Sequence, residues 1–117
     1  MAYVDGFAMA VPTANREKFR EHAAAFAPIL RRFGALRVVE CRGDSVPEGE
    51  VTSFPMAVKR KPDETVVFSW IEWPDKETRD RAMAGMMKDP RFDPAANPLP
   101  FDGKRMIFGG FQLIVDE

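Results

Sequence analysis

Apolar positions along the chain follow two periods. The strongest run is Thr65 to Trp73, TVVFSWIEW. In an extended chain Val66, Phe68, Trp70 and Glu72 fall on one face, and Thr65, Val67, Ser69, Ile71 and Trp73 on the other. β-Branched and aromatic residues suit a pleated surface, and Pro74 ends the run because it has no N–H for a ladder. Tyr3 to Val11 has the same character. Tyr3, Phe7, Met9 and Val11 form a large face, Val4, Gly6, Ala8 and Ala10 a small one, and Asp5 interrupts the large face. Strands apolar on both sides must be covered on both sides. The period then changes. Phe19, Ala23, Phe26, Leu30 and Phe33 make one helical stripe, with Arg16, Arg20, Glu21, Arg31 and Arg32 largely off it. Thr13 or Asn15 can cap this helix, Pro28 should bend it, and Gly34 is a natural stop.

Ala35 to Arg42 is the second strand, with Leu36 and Val38 on one face and Val39 and Cys41 on the other. The span 43–49 reads as a loop. Met56 to Val58 is expected as a short strand that hairpins onto the central one through Pro62 and Asp63. That gives a single domain, 1–117, with a β-arm or loop insert at about 43–63. Asp75 can cap a second long helix with an inner stripe of Arg79, Ala82, Met83, Met86 and Met87; Pro90 ends it. Met106 to Val115 is the last strand, and Gly109 and Gly110 within it suggest a bulge or the close approach of something bulky.

The order β-α-β-(arm)-β-α-β is the split βαβ, ferredoxin-like arrangement of an α+β protein with an antiparallel sheet. Strands one and three are expected at its centre, parallel to each other. Two helices cover one face. The other face carries large apolar side chains from all four strands, a patch larger than a monomer normally exposes. At about 25 cal/mol per Å² of apolar surface, association is favoured over exposure. Two copies pairing through facing sheets are the simplest closed solution.

Seventeen basic and 18 acidic residues leave a net charge of −1. This gives no electrostatic footprint for nucleic acid or an anionic membrane. The single cysteine, Cys41, precludes an internal disulfide and suits a reducing compartment. No signal peptide and no stretch of roughly 20 apolar residues is visible, so a cytoplasmic protein is expected.

Four segments carry a resemblance: YVDGF at 3–7, FGALRVVEC at 33–41, TVVFSWIEWP at 65–74 and PFDGKRMIFGGF at 100–111. Together they resemble the bacterial YbaA-like family, small proteins of unknown function in the dimeric α+β barrel superfamily. The resemblance implies a ferredoxin-like protomer and a barrel of two facing sheets. It implies no assigned activity, because the superfamily includes cofactor-free oxygenases, haem-degrading enzymes and binding proteins.

Candidate chemistry is sparse. His22 lies on the first helix beside the buried stripe, as a solvent-edge histidine would. The second long helix lacks the histidine that haem-degrading relatives use. One histidine and one cysteine do not make a typical zinc site, and no acidic cluster has a metal-loop spacing; no cofactor is expected. Cys41 reads as an inert thiol, and Lys59-Arg60-Lys61 as a solvated tip. The set Asp5, Glu72 and Arg105 stands out, because unpaired acids in apolar strands are costly. Glu72 falls near Arg37, so a cross-strand ion pair is one expectation. The other is a cleft mouth that gathers Trp73, Glu72, Lys104 and Arg105, with Trp70 lining an apolar pocket. There an unpaired Glu72 would have a raised pKa and act as an acid/base group. Asp5 is expected at the opposite end, in a backbone or interface contact. These readings leave three functions: binding of a small apolar ligand between sheet and helices, a cofactor-free oxygenase or isomerase acting on an aromatic or enolisable substrate, and an RNA-associated protein, which the charge balance disfavours.

Overall fold

The structure, a computed structural model, describes residues 2–117. The order of elements is β1 (Tyr3–Pro12), α1 (Arg16–Arg32), β2 (Arg37–Arg42), a one-turn α2 (Phe54–Ala57), β3 (Glu64–Trp73), α3 (Lys76–Met87) and β4 (Ile107–Gln112). The four strands form one sheet in the order β2-β3-β1-β4, with every neighbouring pair antiparallel. The split βαβ arrangement is therefore present.

The expected direction of β3 is corrected. β1 and β3 are central, but Tyr3 faces Trp73 and Pro12 faces Glu64, so they run against each other. The α1 crossover returns β2 parallel to β1. The β2–β3 connection then reverses the chain once more, so β3 opposes both.

The 43–63 segment is also corrected. It contains α2 where the sequence pattern predicts a strand of an arm. The Ser53 hydroxyl accepts a hydrogen bond from the Met56 N–H at 3.1 Å, and Pro55 sits in the first turn, where its missing N–H costs nothing. The helix brings the fully buried Val58 onto Ala8, Ala10 and Val66. The last strand is shorter than expected. Gln112 faces Tyr3, the first residue of β1, and beyond it Ile114 and Val115 are exposed.

The helix-facing side of the sheet carries Tyr3, Asp5, Met9, Val11, Val67, Ser69, Ile71 and Trp73, all buried. Trp73, Tyr3, Ile71, Ala35 and Ala82 form one core cluster. Asp5, expected in a backbone or interface contact, is buried within the chain and is the polar centre of that region. Its carboxylate accepts from the Trp73 indole at 2.9 Å and from both Nε and Nη2 of Arg79, the latter at 2.8 Å. The Arg79 guanidinium also lies 5.4 Å from the Tyr3 ring centre. Glycine permits two close approaches here. A Cβ on Gly110 would sit 2.8 Å from Tyr3 ring carbons, and one on Gly85 would sit 2.7 Å from the Phe33 ring. Met87, expected on the inner stripe of α3, is 90% exposed. On the opposite side of the sheet α2 covers one end only, and Phe54, Phe68, Ile107 and Phe111 remain exposed.

Candidate functional site

The structure separates the residues that the sequence groups at a cleft mouth. Because β3 opposes β1, Glu72 and Trp73 lie beside the start of β1, whereas β4 begins beside Ala8, toward the end of β1. Arg105 is therefore near Glu64, at the far end of β3, roughly 30 Å of strand from Trp73. Its guanidinium donates to both Glu64 oxygens at 2.7 and 2.6 Å, to the Lys59 carbonyl at 2.9 Å and to Asp102 at 3.0 Å. These bonds to Arg105 hold the buried Glu64 carboxyl down to about 2. Lys104 is exposed. Trp73 is fully buried on Asp5, and Trp70 lies on the opposite face of the sheet. The Trp70 indole donates to Glu72 at 2.8 Å, and Arg37, across the strand pair, reaches the same Glu72 oxygen at 3.6 Å. Glu72 is thus in the expected cross-strand ion pair with Arg37, and the register places it at the opposite end of the sheet from Arg105.

The cleft lies instead between α1 and the sheet. The stripe of α1 faces the sheet, yet none of its residues is fully buried. Below the helix is a cavity of about 440 Å³, with walls that include Val11, Phe19, Ala23, Ala27, Val38 and Val67. A second cavity, about 200 Å³, continues toward His22, Phe26 and Phe101 and shares Phe19, Ala23, Val38 and Glu40 with the first. The shared residues make the two parts of one cleft. Arg16, Arg20 and Arg42 line the larger part while remaining exposed, and so form its mouth.

Glu40 is the central polar group. It projects from β2 on the same face as Val38, directly across from Ser69 of β3. Solvent reaches it through the open cleft, so it keeps the accessible surface of an exposed residue, but the surrounding walls are apolar. Desolvation pushes its carboxyl up to about 7, and the Ser69 hydroxyl offsets part of that rise. Partial burial lowers the pKa of His22, which lines the smaller cavity with its ring 4.6 Å from that of Phe26. A carboxyl that titrates near neutrality can accept, donate or transfer a proton to a bound molecule. Among the described residues no group of three or more His, Cys, Asp or Glu is placed to hold a metal ion.

The model of the family "Protein of unknown function (DUF1428)" matches residues 2–103. The chain belongs to this family. It is 56% identical over 117 residues to the uncharacterized protein YbaA of Escherichia coli K12, covering all of both chains, and to the same degree to its counterpart in Shigella flexneri. Two solved structures share the family member's fold. One is a dimeric ferredoxin-like protein from an uncultured marine organism, with a TM-score of 0.62 and 15% identity, covering 99% of this chain and 97% of that one. The other is a point mutant of SnoaB, a cofactor-independent oxygenase from Streptomyces nogalater, with a TM-score of 0.59 and 19% identity, covering 98% and 95%. At these identities the likeness establishes a ferredoxin-like α+β fold. No helix among the described residues is long and apolar enough to cross a membrane.

Glu40 escapes a sequence reading that tracks Leu36 and Val38 on one face and Val39 and Cys41 on the other. The signal is there: Glu40 is two residues from Val38, so it extends the helix-facing row with an acid. Asp5 and Glu72 stand out more because they interrupt longer apolar runs. The structure gives both of them strong partners and leaves Glu40 facing the cavity.

Proposed function

We propose that this protein is a homodimer that binds a small, mostly apolar molecule in the cleft between α1 and the sheet. The observation that carries the ligand reading is the stand-off of α1. An apolar helical stripe covers about 440 Å³ of space lined by Phe19, Ala23, Ala27, Val38 and Val67. Empty apolar space of this size forfeits packing, and its dimensions are those of a ligand site. Dimerisation is supported by the other side of the sheet, where Phe54, Phe68, Ile107 and Phe111 are 49, 43, 46 and 60% exposed. A second sheet laid on that side would cover them and leave the cleft open. The near-neutral charge favours a small-molecule partner over a nucleic acid.

Native mass spectrometry of protein purified without denaturation tests both parts. The expected species is a dimer carrying a small molecule that is released on unfolding, and Ala27→Phe should purify as a dimer without it. A monomer at micromolar concentration would contradict the assembly, and retention of the molecule by Ala27→Phe would contradict the site. A second reading, a cofactor-free oxygenase or isomerase, is favoured by one feature, the near-neutral Glu40 carboxyl inside the cleft. It requires that Glu40→Gln abolish turnover of a bound enolisable compound while leaving its affinity intact.

A further inference from the structure

The mouth of the cleft differs in charge from the rest of the chain. The protein as a whole is almost balanced. Around this opening stand Arg16, Arg20 and Arg42; the acids that line the same cavity are Glu17 at the mouth and Glu40 deeper in. Glu17 is engaged by Arg20 at 3.1 Å. Among the described residues no ion pair engages Arg16, Arg31, Arg32 or Arg42, whereas Arg37, Arg60, Arg79, Arg81, Arg91 and Arg105 each have an acidic partner, and of the four unpaired arginines Arg16 and Arg42 line the cleft. These two guanidiniums come from different elements, the first turn of α1 and the end of β2, and line the same opening. Thr13 and Thr65, whose hydroxyls lie 2.8 Å apart, add polar groups beside them. Inward of the arginines the walls are apolar, down to Glu40, one side-chain step deeper than Arg42 on the same face of β2.

We infer that the ligand of this cleft is an apolar molecule carrying a carboxylate, its body between α1 and the sheet and its charged end held by Arg16 and Arg42. This rests on the cleft being a ligand site. Guanidinium binds carboxylate with two parallel N–H donors, and two unpaired guanidiniums beside an apolar chamber supply a head-group site without a buried charge. A cationic ligand would meet the same arginines unfavourably. A neutral one would fill the chamber and leave the arginines solvated, with no gain from them.

Matched probes separate the parts of this inference. Octanoate and octanol form one pair, naphthoate and naphthol another, and binding is measured by calorimetry on the full-length protein at low ionic strength. The wild type should bind the acid of at least one pair about tenfold more tightly than its neutral counterpart, the size of one charge-assisted contact at a solvent-open site. The double variant Arg16→Gln, Arg42→Gln should bind the neutral probe as before and lose the preference. Both positions are exposed, so the fold should tolerate the change. Equal binding of acid and neutral probe by the wild type, or a preference that survives in the double variant, overturns the carboxylate assignment and leaves the cleft as an apolar site. Binding of neither member of either pair, or full binding by Ala27→Phe, overturns the cleft reading and the assignment with it.

Discussion

The two long helices lie on the same face of one sheet and pack on it differently. On the α3 side Trp73 is fully buried, Ala82 and Met86 are 2% and 9% exposed, and Arg79 is clamped to Asp5. On the α1 side no helical residue is fully buried, and a cavity of about 440 Å³ lies between the helix and the sheet. Both helices have an apolar stripe and a polar outer face, so composition does not separate them. What separates them is what the sheet offers. Beneath α3 it presents a tryptophan and a carboxylate that fit a guanidinium. Beneath α1 it presents Val38, Val67 and Glu40, too little volume to reach a helix carried on Phe19 and Phe26. Close packing stabilises and leaves no room for a ligand, whereas a loose layer gives up dispersion contacts and gains a chamber. The fold is thus anchored at one end and open at the other.

Breaking the anchored side should have the largest effect. Asp5→Ala removes the acceptor for the Trp73 indole and for Arg79 together. A buried indole N–H without a partner and a partly buried unpaired guanidinium should cost about 3 kcal/mol, measurable by urea unfolding. A loss under about 1 kcal/mol would mean that water replaces the carboxylate and that this side is no better packed than the other.

Much of this contrast is legible from residue patterns, and the reasons for the rest are specific. The strands at 3–11 and 65–73 and both long helices follow from periods of two and about three and a half, because those segments are long enough for the period to survive single interruptions such as Asp5, Glu72 and Arg79. The ferredoxin-like order follows from them. The 54–57 turn escapes the pattern because three apolar residues, Met56 to Val58, outweigh the helix-start signal of Ser53 and Pro55. The larger discrepancy is directional. Giving β3 the sense of β1 moves Glu72 and Trp73 next to Arg105, and the expected site dissolves once the register reverses. Which acids are paired depends on that register, so from sequence Asp5 and Glu72 look available when they are not, and Glu40 looks ordinary.

A matched pair of substitutions sharpens the comparison at intermediate size. Ala82→Leu forces three extra carbons into the packed layer under α3, where Ala82 is 2% exposed, and should cost about 1–3 kcal/mol. Ala27→Leu adds the same atoms over the open chamber and should change stability by less than about 0.5 kcal/mol, or raise it slightly by filling space. Thermal melts of the two variants should therefore separate. Equal losses would show that α1 sits as tightly as α3 and that the chamber closes in solution.

The smallest expected effect concerns Glu40 and depends on pH. Its carboxyl is raised from an ordinary value of 4.5 to about 7 in the folded protein, chiefly by desolvation. Between those values the folded chain holds a proton that the unfolded chain has released. Stability should therefore fall as pH rises through this window and level off above it. Glu40→Gln has no proton to lose, so variant and wild type should coincide near pH 4 and diverge toward pH 8. There the variant should be more stable by about 1 kcal/mol, a figure reduced from the full shift because the open cleft admits water and salt. That corresponds to roughly 4 °C in melting temperature. Glu64 works in the opposite sense and in a different window. Its carboxyl is lowered to about 2 by Arg105, so its contribution is complete above the ordinary carboxylate range and is lost as pH falls toward 2. The Glu40 and Glu64 slopes lie on opposite sides of the ordinary carboxylate value, and His22, whose lowered pKa makes stability rise toward neutrality, is common to wild type and Glu40→Gln, so the difference between the two proteins isolates Glu40. A difference between wild type and Glu40→Gln that stays constant from pH 4 to 8 would mean that Glu40 is fully solvated, and that the layer under α1 is filled with water instead of being an apolar chamber.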